Sequence, residues 1–397
     1  MSLSLRCQFT LVLAPQNNNL IMLYFFARYI EQTFAPPGFG VFQYVWFRSA
    51  AAAITALLIS FIVGPRIIAA LKRNQIGEQA KAELAFTGNH VNKAGTPTMG
   101  GLIVLTALLL PTLLWANVLN PYVILIVLIT AWLGVVGFVD DYLKVIKKFK
   151  KGLIGRYKII GQIGIGLIVG VSIVFFPEWF GAAFAKVNTV TTVPFAKNIN
   201  FDFEWLYIPM VIFVITATSN AVNLTDGLDG LAIGTVSISA LALSLICYVS
   251  GNAKFANYLN IIHLRGSDEL TIFCAALIGA GLGFMWFNSF PAQVFMGDTG
   301  SLALGGAIGG LFILVKKEFL LPILGGIFFA ETVSVILQVT YFRYTKRKYG
   351  EGRRLFKMAP LHHHFEKSGW HEAKIVSRFY IIAVLLAIIT LATFKIR

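Results

Sequence analysis

The sequence predicts an all-α polytopic membrane protein of about ten transmembrane helices, and three observations carry that prediction. The 397 residues are 57% hydrophobic and 13% charged, with mean hydropathy +0.75, outside the range of soluble domains. Runs of roughly 18 or more apolar residues, each able as a helix to cross a ~30 Å hydrocarbon core, recur along nearly the whole chain. Lysine and arginine concentrate in alternate connections between these runs.

The ten segments lie near 46–63, 98–117, 122–139, 159–176, 205–222, 230–249, 270–289, 301–315, 319–342 and 378–395. Residues 1–21, which include APQNNNL, have neither a basic start nor a small-residue cleavage site. They are read as an extension or alternative start ahead of one integral-membrane domain, 22–397, whose first apolar stretch is MLYFFARYI. The second segment opens on NKAGTPTMGG, the third ends at Asp140 and Asp141 in GFVDDYLK, and the fourth follows a lysine-rich loop. NAVNLTDGLDG joins the fifth and sixth, FNSFPAQVFMGDTGS the seventh and eighth, and a basic loop containing MAPLHHHFEKSGW the ninth and tenth. Of the three cysteines, Cys247 and Cys274 fall inside apolar segments without ligand-like spacing and read as buried thiols.

The first, third and ninth loops hold most of the basic residues, whereas the even loops hold Lys186, Lys197, Lys254, Arg265, Lys316 and Lys317. By the positive-inside rule the odd loops are cytoplasmic and both termini periplasmic. The net charge of +15 is largely this asymmetry, so no nucleic-acid partner is needed to explain it. All four acid, amide and histidine clusters then fall on the cytoplasmic side. Loop decoration would scatter over both faces; agreement argues for one site at the cytoplasmic membrane surface.

Acids at a membrane boundary are costly unless they meet water, a cation or a partner. A lone Asp140 could simply end a helix with Lys144 one turn on as its ion pair. Two adjacent acids matched by Asp226, Asp229 and Asp298 in other cytoplasmic turns favour a divalent cation, and hard oxygen donors without cysteine favour Mg2+ or Mn2+ over zinc. Asn220, Asn223, Asp226 and Asp229 recur every three residues and make one polar stripe. A calcium loop is excluded, because Leu228 and Gly230 stand where ligands would be needed. Asp298 in GDTGS reads equally as a helix N-cap or as part of a phosphate-binding helix start. Lys93 and Thr98, at a small-residue helix start, are candidates to hold a phosphate. Gly279-x-x-x-Gly283 and Gly305-x-x-x-Gly309 read as helix packing, and Glu331 and Gln338, seven apart, share a face toward the bundle interior.

His362, His363 and His364 are adjacent, so their side chains diverge and do not converge on one ion. A substrate clamp is the better reading: one or two imidazoles hydrogen-bond phosphate or sugar, and the others hold the loop.

In this order and spacing, the five motifs resemble those of the phospho-N-acetylmuramoyl-pentapeptide transferase family, also called translocase I, from about residue 22 to the C-terminus. The resemblance implies a bacterial inner-membrane enzyme that moves phospho-MurNAc-pentapeptide from UDP to undecaprenyl phosphate, giving lipid I and UMP with Mg2+, and that forms a homodimer. It implies that Asp298 binds Mg2+ and that Asp140 acts on the lipid phosphate as its general base with Asp141 nearby. Asn223, Asp226, Asp229, Asn288, Phe295 and Lys93 would line the uridine and phosphate region, with Thr98, Lys144, Gln338 and the three histidines also facing substrate. Two other readings stand beside it. A sister enzyme transferring GlcNAc-1-phosphate shares the acidic motifs but not the APLHHHFE loop. A cation transporter would carry its acids near mid-membrane in paired broken helices.

Overall fold

The computed structural model describes residues 23–34, 36–73, 95–147, 149, 152–196 and 199–396. Helices α1 (Leu23–Phe34) and α2 (Val45–Arg73) come first, followed by α3 (Gly101–Trp115) and α4 (Pro121–Val145). The α4 start is written locally: Pro121 needs no amide partner at the first helical position, and Asn120 Oδ1 accepts from the Tyr122 N–H at 2.9 Å. Helix α5 (Gly155–Phe175) leads through the four-residue α6 (Ala182–Ala185) to a hairpin of β1 (Val190–Thr192) and β2 (Asn200–Asp202). The strands are antiparallel, with Thr191 opposite Phe201. Helices α7 (Tyr207–Thr225) and α8 (Leu231–Gly251) are separated by a tight turn in which Gly230 has φ 81°, a left-handed conformation that glycine tolerates without strain. Then come α9 (Ala253–Leu259), α10 (Leu270–Asn288), α11 (Gly297–Leu314), α12 (Leu321–Leu324), α13 (Gly326–Tyr349), α14 (Leu361–Glu366) and α15 (Glu372–Ile396).

Every expected segment is helical, but two differ from a straight span. Helix α3 has 15 residues, about 22 Å at 1.5 Å per residue, less than a ~30 Å core. The ninth segment is broken: α12 and α13 meet at 82°, at the adjacent glycines Gly325 and Gly326. Among the described residues, eight helices are long and apolar enough to cross a membrane, or nine if the bent pair is one span. The β hairpin, absent from the all-α expectation, folds part of the long α5–α7 connection.

Helix α11 is the axis of the bundle, with every residue from Thr299 to Leu314 buried. It packs against α4 and α7, while α10 packs against α2 and α8. Glycine makes these approaches possible. A Cβ on Gly305 would fall 2.5 Å from the Thr218 carbonyl oxygen, and one on Gly309 2.3 Å from Thr218 Oγ1. On α10, a Cβ at Gly279 would fall 2.1 Å from the Ala53 carbonyl oxygen and one at Gly283 2.3 Å from Ser60 Cβ, so both glycine pairs serve close helix packing.

Two buried polar groups lock the end of the bundle remote from Asp298. Arg48 pairs in a fork with Glu269, at 2.6 and 2.9 Å, and Glu269 also accepts from the Asn117 N–H at 2.9 Å. Lys316 donates to Tyr207 Oη at 2.7 Å and to the Asn188 carbonyl, while Glu318 accepts from Tyr207 at 2.6 Å and from the Thr191 hydroxyl. With Lys317 bonded to Thr192 Oγ1 at 2.9 Å, these side chains anchor the hairpin to the far end of α11.

Candidate active site

At the other end of the bundle, the last turn of α4, the first turn of α5, the C-terminal end of α7 and the first turn of α11 meet. Successive residues on a helix point about 100° apart, and Asp140 and Asp141 accordingly do different things. Asp141 faces α11, where Oδ1 accepts from the Asp298 N–H at 3.1 Å and Oδ2 from the Thr299 N–H at 2.8 Å and Thr299 Oγ1 at 2.6 Å. A carboxylate from another helix thus satisfies the free amides that begin α11. Gly297, at φ 73°, allows this approach: a Cβ there would sit 2.7 Å from Asp141 Oδ2.

Asp140 faces the cluster. Its Oδ1 accepts from the Leu153 N–H at 2.7 Å, and its Oδ2 takes Lys144 Nζ at 2.7 Å and Lys158 Nζ at 2.9 Å. The same two ammonium groups reach Asp298 Oδ2, at 2.9 Å from Lys144 and 2.7 Å from Lys158. Asp298 Oδ1 accepts from Asn223 Nδ2 at 2.7 Å, and that amide also donates to Ser301 Oγ at 2.8 Å. Two carboxylates and two ammoniums therefore form one compensated square on three helices, α4, α5 and α11, with Asn223 of α7 bonded to its Asp298 corner. The Asp140 side chain is 1% exposed and the Lys144 side chain 41%, so Lys144 is the member that an incoming anion reaches most readily.

Around this square the remaining candidates divide. The segment before α3 pairs with the α10–α11 loop: Phe295 N–H donates to the Pro97 carbonyl, and Gly100 N–H to the Phe295 carbonyl, both at 2.8 Å. Thr98 lies there, its hydroxyl buried with no hydrogen-bond partner among the described residues; Lys93 lies outside the described residues. Asp226 caps the end of α7. Asn288 and Asp229 brace the turn behind it: Asn288 Oδ1 accepts from the Gly230 N–H at 3.0 Å, and Asp229 Oδ2 from the Ala292 N–H at 3.0 Å. Gln338 belongs to a loop brace away from the carboxylate square, bonded to the backbone of Leu355 and Phe356.

The histidine triplet opens α14, whose first amides, those of Leu361 and His362, are capped by Glu331 at 2.6 and 3.2 Å. His362 is wedged between Glu331 and the Asp226–Gly227 turn, where a Cβ on Gly227 would fall 2.1 Å from its Nε2. His363 contacts Glu366 at 3.0 Å, and His364 Nδ1 accepts from the Lys357 N–H at 3.1 Å. The triplet thus docks the ninth loop on the α7–α8 turn.

The sequence motifs do not single out Lys158, Ser301 or Thr299. Lys158 carried a usable signal: a lysine one turn inside an apolar helix needs a counter-charge.

No group of three or more His, Cys, Asp and Glu side chains forms a ready metal cage among the described residues. Mg2+ needs none, since it takes one or two carboxylates and completes its shell with water and substrate phosphates. Asp298 and Asp140 fit that requirement, being hard oxygen donors that already share cations.

A helical membrane bundle that gathers carboxylates and lysines at one end matches a known class: the sequence model of Glycosyl transferase family 4 matches residues 123–316, which contain the whole square. The phospho-N-acetylmuramoyl-pentapeptide-transferase signature 1 matches residues 93–105, the segment paired with Phe295. Phospho-N-acetylmuramoyl-pentapeptide-transferases of Chloroherpeton thalassium and Flavobacterium johnsoniae are 52% and 50% identical to this chain. That of Salinibacter ruber is 50% identical, and all three alignments cover 95% of this chain and 100% of the relative. The chain belongs to the phospho-N-acetylmuramoyl-pentapeptide-transferase family.

Proposed function

We propose that this protein transfers phospho-MurNAc-pentapeptide from UDP to undecaprenyl phosphate, releasing UMP and forming lipid I, with its site at the cytoplasmic face of the bacterial inner membrane. The observation that carries this reading is the square of Asp140, Asp298, Lys144 and Lys158. Joining a phosphate to a pyrophosphate brings anions together, so charge neutralisation and positioning dominate the chemistry. The lysine-rich loops at this end support the orientation, with ten crossings if α3 and the bent pair each count as one.

The acceptor phosphate oxygen attacks the sugar-linked phosphorus, the bond from that phosphorus to the bridging oxygen breaks, and UMP leaves. Asp140 receives the acceptor's proton, while Lys144 and Lys158 turn from carboxylate to phosphate oxygens. Asp298 would hold Mg2+, or Mn2+ in its place, and the ion would supply charge neutralisation at the pyrophosphate. Direct attack suffices, because an aspartyl intermediate would add a displacement that nothing requires. Asn223 and Asp226 face the nucleotide, and Asp141, Asn288 and Asp229 hold the geometry. As in the family resemblance, the working form is a homodimer.

Purified protein with Mg2+ and undecaprenyl phosphate should release UMP from UDP-MurNAc-pentapeptide and not from UDP-GlcNAc. The reverse preference would assign the sister reaction, and no UMP from either would end the enzyme reading. Chelation with EDTA should stop turnover and added Mg2+ restore it.

A further inference from the structure

The last turns of α13 and the loop after them form a basic, aromatic knob that the transferase site does not use. Between Tyr341 and Pro360 stand Arg343, Lys346, Arg347, Lys348, Arg353, Arg354 and Lys357, all exposed, against one acid, Glu351. None of the seven pairs with a carboxylate among the described residues. The knob is built rather than loose. Gln338 Oε1 accepts from the Leu355 and Phe356 N–H groups at 3.0 and 2.9 Å, and Thr345 Oγ1 accepts from the Arg353 N–H at 2.8 Å. Gly352 lies against the Phe342 ring so closely that a Cβ would come within 2.3 Å of it. Helix and loop cations are therefore held on one surface.

The surface is also graded along α13. Exposed apolar side chains come first, at Phe329, Ile336, Leu337 and Val339. Exposed aromatics follow at Tyr341, Phe342, Tyr344 and Tyr349, interleaved with the cations from Arg343 onward, Lys348 lying over both the Tyr344 and Tyr349 rings. An apolar stretch giving way to mixed aromatics and cations is the order met on leaving a bilayer: acyl chains, then the interfacial belt with its anionic headgroups. A topology signal requires charge, but neither the grading nor the bracing. We infer that this knob is a binding surface for the headgroups of anionic phospholipids, anchoring α13, the longer arm of the bent ninth segment, to the membrane surface. The inference rests on the reading that this end of the bundle meets the cytoplasmic membrane surface.

The test uses the full chain in nanodiscs of phosphatidylcholine with a minor fraction of spin-labelled phosphatidylglycerol. Both faces of the protein are accessible there, so the result does not depend on activity or sidedness. The wild type should immobilise phosphatidylglycerol in preference to labelled phosphatidylcholine, and the K346Q/R347Q/K348Q/R353Q/R354Q variant should lose that preference by about tenfold or more. Inorganic phosphate at millimolar concentration should not displace the lipid; if it does, the surface recognises free phosphate and the lipid assignment is overturned. Equal lipid selectivity in variant and wild type would also overturn it. UMP release by the same variant in neutral detergent should stay near wild type. If instead the Michaelis constant for the UDP substrate rises while lipid selectivity is unchanged, the knob steers nucleotide and not lipid.

Discussion

At the scale of single residues, the adjacent acids of GFVDDYLK are separated by function. Asp141 holds the start of α11 through three hydrogen bonds from residues 298 and 299. Asp141→Leu should lower stability by about 1–3 kcal/mol, because buried donors lose their acceptor, and activity should fall with it. Thermal unfolding in detergent, read beside UMP release, checks both. Asp298→Asn should instead remove turnover while leaving the melting temperature within a few degrees; near-normal turnover would disprove a direct role in holding metal. Lys158→Met should lower kcat by roughly 100-fold or more, the scale of removing one preorganised charge partner. Asp140 and Asp298 were legible because acids in apolar surroundings demand a partner. Lys158 was legible only in part: its place one turn inside an apolar helix asks for a counter-charge, but in sequence it is also one of many lysines carrying the same topology signal. The role of Asp141 was hidden, since it depends on a helix that begins 156 residues later.

Among elements, glycine sets the distances. Helices α3 and α11 meet at their first turns, where a Cβ on Gly101 would lie 2.1 Å from the Gly300 nitrogen. Gly305→Val should therefore force α11 from α7 and destabilise the protein by about 1–3 kcal/mol, as overpacking does. Detergent thermal melts would test this, and an unchanged midpoint would mean that the bundle absorbs the added volume. The two glycine pairs were readable from spacing, but their partners were not: nothing in the sequence says that α10 lies on α2 or α11 on α7. The bend at Gly325–Gly326 was likewise hidden inside one long segment of high mean hydropathy, because hydropathy records composition and not direction. Gln338 shows the same limit. It shares Glu331's spacing, yet the bonds of both are directed at loop backbone that sequence periodicity cannot locate.

For the whole molecule, the two ends of the bundle are built oppositely. The site end is a compensated square with an exposed member, while the far end holds charges buried without exposed members. Burial pushes the Lys316 ammonium from 10.5 down to about 7, against the pull of Glu318 and Asp202. A lysine with a depressed folded pKa leaves the unfolded chain holding the proton that the folded protein has released. Stability should therefore rise with pH between about 7 and 10.5 and be lost as pH falls toward about 7. Lys316→Met should flatten the rise of melting temperature across that window; an unaltered slope would exclude Lys316 as its source. The even-loop lysines gave no hint of this in sequence, because Lys316 finds Tyr207 and the hairpin only through folding. Finally, α11 joins Asp298 to this remote lock with no exposed residue from Thr299 to Leu314. Its amides can meet deuterium only when surrounding helices part, so α11 should be the slowest-exchanging stretch of the chain, a timekeeper for global opening.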